Sequence, residues 1–171
     1  MFDKLKDILA HSHKKEKRRM VIAAPMDGEL ISVAEVNDPT FSEEMLGKGV
    51  AVRPCSGRVV SPVDGTVTHI FDTGHGAVIT SIEGVEVLMH IGLDTVKLKG
   101  AHFTIGVQNG DNVSTGDVLI EFDLEEIVAA GYDMVTPVVI CNSDDFEGFE
   151  AQTGRMVKEG EEVLSFVNKR R

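Results

Sequence analysis

From Val21 onward, apolar residues recur in short β-branched runs punctuated by Gly, Pro and Asp-Gly. The runs are VIAAPMDGELISV (21–33), KGVAVRP (48–54), GRVVSPVDGTVTHIF (57–71), GAVITSI (76–82) and GVEVLMHI (84–91). They continue with NVSTGDVLIEF (112–122), TPVVICN (136–142) and EEVLSFV (161–167). Short runs of this kind, separated by turn residues, predict antiparallel strands joined by tight turns. Helical signals are sparse. FSEEML (41–46) is enough for about one turn. Asp123–Ala130 predicts a short helix, with Asp123 as N-cap, Glu126 three residues on as in a capping box, and Gly131 as the C-terminal stop. The pattern predicts an all-β fold, an antiparallel sandwich or barrel with one or two short helices, not alternating βαβ units.

The runs also repeat one another. Ala24-Pro25-Met26-Asp27-Gly28 is matched by Ser61-Pro62-Val63-Asp64-Gly65, each followed by an alternating apolar stretch. Gly110-Asp111-Asn112-Val113 and Gly160-Glu161-Glu162-Val163 form a second pair, each leading toward an apolar strand. Two copies of one β-motif packed together bury faces that neither buries alone.

Composition narrows the function. The chain has 171 residues and a formal net charge of −11, which argues against nucleic-acid binding because phosphate backbones call for clustered Lys and Arg. Stacking platforms are poorly supplied too, with no Trp and a single Tyr, Tyr132. Cys55 and Cys141 belong to no CxxC pair, so a zinc knuckle is excluded and free thiols are expected. No run reaches the ~18–20 apolar residues of a membrane span, and MFDKLKDILA lacks a signal peptide's apolar core. A cytoplasmic protein is expected.

The charge is unevenly spread. Residues 1–19 carry seven bases and three acids, a net of +4, which leaves −15 on the remaining 152 residues. Phe2, Leu5, Ile8 and Leu9 fall at helical spacing, so residues 2–10 form a short amphipathic pattern. This tail reads either as a solvated arm or as a weak anchor that folds on anionic lipid. Residues 20–171 read as a single domain.

Of six histidines, His11 and His13 lie in the tail, and His69 and His102 in mixed polar segments. His75 and His90 stand apart. His75 sits in Phe71-Asp72-Thr73-Gly74-His75-Gly76, between glycines that leave the imidazole uncrowded. His90 lies in an apolar strand whose alternation puts Leu88, His90 and Gly92 on one face, and Val87, Met89 and Ile91 on the other. Two imidazoles brought into contact cannot both be protonated cheaply, so at least one stays neutral near pH 7. A neutral Nε2 is a nucleophile toward phosphorus. The second ring then offers a hydrogen bond to the transferred oxygens. The Thr73 hydroxyl, by accepting from that second ring's other nitrogen, would fix its tautomer.

The segment from Ser61 to Lys99, with PVDG, F-x-T-x-H and LMHIGLDTV, closely resembles the glucose-type IIA component of the bacterial phosphoenolpyruvate:sugar phosphotransferase system. The similarity continues through APMDGE, F-x-E-x-x-x-G-x-G at 41–49, GDNVSTGDVLIEFDL and TPVVI. The resemblance implies a phosphotransferase component with a duplicated hybrid β-motif, its single IIA domain spanning 20–171. His90 would accept a phosphoryl group from the histidine phosphocarrier HPr and pass it to a cysteine on a IIB domain. His75 would stabilise the phosphohistidine and Thr73 would orient His75. Phe41, Met45, Leu46, Phe71, Leu88 and Val96 occupy the family's apolar docking positions, and Asp38 and Asp94 its acidic rim toward HPr. Regulated enzymes and permeases would dock on the same face. No cofactor is implied. Zinc would enter only at a partner interface, with His75 and His90 as two of its ligands. Gly76 and Ile91 stand where better-known members carry larger or aromatic residues, and the basic run at 14–19 is denser than in the family.

Two rivals fit less well. A lysostaphin-type zinc metallopeptidase needs an H-x-H pair, but Ile91-Gly92 follows His90. A biotinyl or lipoyl carrier needs a hairpin-tip Lys, and none is placed that way. A purely regulatory binding module without phosphorylation is the third alternative.

Overall fold

The computed structural model describes residues 17–169. The tail helix expected from Phe2, Leu5, Ile8 and Leu9, together with His11 and His13, lies outside the described residues. The largest sheet has eight antiparallel strands. They run in the order β13 (Arg155–Val157), β2 (Gly28–Ser32), β3 (Lys48–Pro54), β11 (Thr136–Ile140), β7 (Glu86–His90), β6 (Gly76–Ser81), β5 (Gly65–Ile70) and β9 (Asn112–Val113). A second sheet places β10 (Val118–Phe122) between β4 (Arg58–Val60) and β8 (Phe103–Ile105). The third places β14 (Glu162–Asn168) between β1 (Arg19–Ala23) and β12 (Phe146–Glu150). The helices α1 (Pro39–Ser42) and α2 (Leu124–Ala129) are short. The molecule is the expected all-β antiparallel fold.

The central strands of the large sheet read as continuous apolar runs because both their faces are buried. Val50, Val52, Val138, Ile140, Val87 and Met89 point into one cluster, while Ala51, Val139 and Leu88 point into a second on the other face. The second cluster also holds Ile31, Val33, Val36, Phe41 and Leu93, with Phe71 packed against it. It forms the floor on which the histidine site stands.

The internal echo is a repeated set of hydrogen bonds. Ala24 donates to the Glu161 carbonyl at 2.7 Å and accepts from Gly160 at 3.1 Å. Ser61 donates to Asp117 at 2.8 Å and accepts from Gly116 at 2.9 Å. The Asp27 carboxylate accepts from the Glu159 amide and the Asp64 carboxylate from the Thr115 amide, each at 2.8 Å. The partner of the 160–161 turn in this symmetry is thus Gly116-Asp117. The 110–111 turn picked out by the sequence is a third copy, clamping Val67 through two bonds of 2.8 Å. In all three turns the acid side chain caps its own turn's first amide: Asp111 on Gln108, Asp117 on Ser114 and Glu161 on Lys158. Asp27→Ala removes a charge-assisted bond that ties the first repeat to the far end of the chain, and should cost about 1–2 kcal/mol. Urea unfolding checks it: the midpoint drops with the slope unchanged.

Two local expectations need adjustment. At α2, Asp123 caps the Glu126 amide at 3.1 Å, but the Asp123 amide donates to the His102 carbonyl instead of receiving a return bond from Glu126. Only half of the capping box forms there. A complete one occurs at Ser32 and Glu35, over the 3₁₀ turn Val33–Glu35. The other adjustment concerns 41–46, where the helical turn begins and ends earlier, at Pro39–Ser42, because Asp38 caps the Thr40 amide and Pro39 favours the first helical position.

Candidate functional site

β5 and β6 are joined by Phe71–His75, closed by the Phe71 amide on the Gly76 carbonyl and the Gly74 amide on Phe71, with Gly74 at φ +73°. β6 pairs with β7 so that Gly76 lies opposite His90, and the Ile91 amide donates to the His75 carbonyl at 2.7 Å. β5 and β7 are not direct neighbours. β6, lying between them, is the element that brings the two histidines together.

The two rings meet edge to face, with centroids 5.2 Å apart and planes at 77°. They belong to a row of five rings. His69 lies on Phe71 at 5.2 Å, Phe71 on His75 at 4.9 Å, and His90 on Phe41 at 5.3 Å. Gly76 lets this row pack closely, since a Cβ there would sit 2.5 Å from the Phe71 ring and push it aside. The aromatic walls leave both imidazoles half-buried.

Each ring is held at Nδ1. His90 Nδ1 lies 2.6 Å from the Gly92 carbonyl, an acceptor only, so His90 carries its proton there and Nε2 keeps a free lone pair. His75 Nδ1 is hydrogen-bonded to the Thr73 hydroxyl. A hydroxyl donates to a neutral ring and accepts from a protonated one, so Thr73 serves His75 in both charge states. Burial pushes both imidazole pKa values down, and for His75 the adjacent His90 adds to it. The Gly92 bond, Asp38 and Asp94 oppose the downward shift at His90 without cancelling it. The midpoint of protonation therefore moves below the ordinary histidine value of ~6.5. In an NMR titration of the ring signals, both imidazoles should lose their neutral form at lower pH than free histidine does. A midpoint at or above that of free histidine would contradict the geometry.

The expected docking residues divide by depth. Met45 is 69% exposed, Val96 50% and Leu46 42%, while Phe71 is half-buried. Phe41 and Leu88, at 3% and 7%, are floor beneath the rings and offer a partner almost no area. Asp94 is exposed at the rim, whereas Asp38 spends one oxygen capping α1. His69 is exposed on the flank of Phe71. His102 belongs elsewhere, to a polar groove with Cys55, Arg58 and Asp123. The Gly92 carbonyl is a backbone group that residue type does not mark. Only the presence of a Gly two residues after His90 on the same strand face hinted at it. Among the described residues no group of three or more His, Cys, Asp or Glu is placed to hold a metal ion, and no helix is long and apolar enough to cross a membrane.

Residues 20–146 match the family described as phosphoenolpyruvate-dependent sugar phosphotransferase system, EIIA 1. The chain is 40% identical over 169 residues to the glucose-specific EIIA component of Haemophilus influenzae, covering 99% of each. It is 52% identical over 131 residues to the β-glucoside-specific EIIBCA component of Bacillus subtilis, covering 77% of this chain and 22% of that one. The chain thus spans about a fifth of that longer relative. The solved structure of glucose permease IIA from Mycoplasma capricolum superposes with a TM-score of 0.81 at 35% identity, covering 86% of this chain and 96% of that one.

Proposed function

Since the chain belongs to the EIIA 1 family of the phosphoenolpyruvate-dependent sugar phosphotransferase system, we propose that it is a cytoplasmic phosphocarrier that moves phosphoryl groups from HPr to the IIB domain of a sugar permease. The observation that carries this reading is the pair of imidazoles in contact, each engaged at Nδ1, with both Nε2 atoms left for a ligand. His90 is the acceptor. Its Nε2 lone pair forms a new N–P bond as the N–P bond of phospho-HPr breaks and that electron pair returns to the HPr imidazole. The His90 proton stays on Nδ1 throughout. On the way out, the N–P bond at His90 breaks as a IIB cysteine thiolate forms an S–P bond.

His75 stabilises the phosphorylated state. Its pKa is lowered in the resting protein, which keeps it neutral beside His90. A dianionic phosphoryl group on His90 reverses that balance and favours a proton on His75. Thr73 holds the ring in place through both states. Met45, Leu46, Val96 and Phe71 form an apolar centre, and Asp38 and Asp94 the charged edge, as a transient protein complex requires. A negative rim is unsuited to a free phosphoryl donor but suits a basic protein that carries the group in. Were zinc to enter this site, the two Nε2 atoms are the ligands this chain would supply, and a partner carboxylate and water would have to complete the four. We read residues 20–171 as one IIA domain and residues 1–19 as a basic tail suited to weak contact with anionic lipid.

Reconstitution with phosphoenolpyruvate, enzyme I, HPr and membranes bearing a IIBC permease tests the reading. Label should pass through the chain to sugar. A protein that takes no label from phospho-HPr would end it.

A further inference from the structure

The carbonyl of Gly92 holds the His90 proton on Nδ1, so whatever holds that carbonyl controls which nitrogen is free. Gly92 and Leu93 lie in a short bend between β7 and the 3₁₀ turn Thr95–Leu98. Two contacts fix this bend. Behind it, the Leu93 amide donates to the Asp133 carbonyl at 2.8 Å, so the peptide whose oxygen receives His90 is bound at its other end as well. Asp133 is held in turn by its own carboxylate on the Val135 amide at 3.0 Å. In front of it stands Thr95, whose side chain and backbone are wholly shielded from solvent.

The Thr95 hydroxyl donates to the Ile91 carbonyl, four residues back. Ile91 is the residue whose amide already binds the His75 carbonyl. One peptide segment therefore ties the backbone of His75, the hydroxyl of Thr95 and the carbonyl that orients His90. The Thr95 methyl closes the same space. A Cβ on Gly92, which sits at φ +73°, would meet Thr95 Cγ2 at 2.7 Å and Met134 Sδ at 2.9 Å. The hydroxyl of Thr95 thus holds the peptide that precedes Gly92, and its methyl fills the space a side chain at Gly92 would need. A buried hydroxyl with a defined acceptor holds local backbone more firmly than packing alone, because leaving that acceptor unpaired is costly.

We propose that Thr95 is a positioning residue for phosphoryl transfer: by binding the Ile91 carbonyl it sets the Gly92 carbonyl, and so keeps His90 in the tautomer with Nε2 free. This rests on the reading of His90 as the acceptor. It concerns the tautomer, which is measurable without any transfer reaction.

The test uses the full chain labelled with ¹⁵N-histidine. In the parent, long-range ¹H–¹⁵N spectra at about pH 8, where an unperturbed imidazole is neutral, should show His90 protonated at Nδ1 alone. In Thr95→Val, which keeps the shape and removes the hydroxyl, the proton should spread over both nitrogens. Single-turnover acceptance from phospho-HPr should fall about 10-fold or more, with half-saturation by phospho-HPr unchanged. Thr95→Ser, retaining the hydroxyl, should restore both the tautomer and most of the rate. Should the Val variant fail to fold, Thr95→Ala removes the same hydroxyl without added bulk and is read the same way. A hydroxyl-free variant that is folded, keeps His90 wholly protonated at Nδ1 and accepts phosphate at the parental rate would overturn the proposal. A parent that shows the Nδ1 tautomer yet accepts no phosphate would count against the phosphocarrier reading instead.

Discussion

His90→Ala should leave the protein without any phosphoryl label after incubation with phosphoenolpyruvate, enzyme I and HPr, whereas the parent acquires an acid-labile, base-stable phosphohistidine. The loss should be complete because the neighbouring ring is no substitute. The Thr73 hydroxyl donates to Nδ1 of the neutral His75 ring, which puts that ring's proton on Nε2 and leaves no lone pair there, and the ring lies off the strand position at which β7 delivers His90 beside Phe41. The fold should survive. His90 is half-buried at the end of β7, and the core residues on either side, Met89 and Ile91, point to the opposite face. The check is labelling of the purified variant beside its thermal melt. A folded His90→Ala protein that still takes label at one equivalent would disprove the assignment of the acceptor.

His75→Gln should split the two halves of the reaction. Gln presents an amide N–H near the position of Nε2, so a phosphoryl group on His90 still finds one donor, and acceptance from phospho-HPr should persist. What Gln cannot do is take up a proton. When the N–P bond to His90 breaks, its electron pair returns to Nε2 while a thiolate brings further negative charge up to the phosphoryl oxygens, and a cation at His75 offsets that charge in a half-buried setting where such an interaction is strong. On the way in, the basic face of HPr supplies positive charge from outside. On the way out, His75 is the cation this chain supplies. Transfer to IIB should therefore fall by about 100-fold or more, roughly the size of effect seen when a preorganised donor to a developing oxyanion is lost. The measurement is the rate at which labelled variant loses phosphate to sugar in the presence of IIBC membranes. Sugar phosphorylation at the parental rate would refute the role given to His75.

Most of the architecture could be read directly from the sequence, and its failures have physical causes. β3, β6, β7 and β11 announce themselves because both faces of each are buried and the runs are unbroken. The apolar runs do not mark β8, β12 and β13. Phe103–Ile105 and Arg155–Val157 are three-residue edge strands, and FEGFE in β12 alternates two Phe with acids around a glycine, which resembles a loop. His75, His90 and Thr73 stand out by type and spacing, and the structure brings the three together, while strand alternation assigns Leu88 and Met89 to their faces. The Gly92 carbonyl does not stand out, because a backbone acceptor leaves no mark in residue type. Nor could the sequence tell surface from floor. Phe41 and Leu88 look like docking residues in one dimension, yet they are buried beneath the rings that partners would meet.

The first and last strands of the described chain also have a consequence. β1 runs beside β14, with Arg19 opposite Val167, so the chain enters and leaves within one three-stranded sheet. The histidine pair stands on a different sheet, the eight-stranded one. A tether joined to either end would attach at the same border of the molecule, on a sheet other than the one that carries the rings. Such a unit is an interchangeable cassette: hung from its front or its back on a larger assembly, it would swing the same face through the same arc.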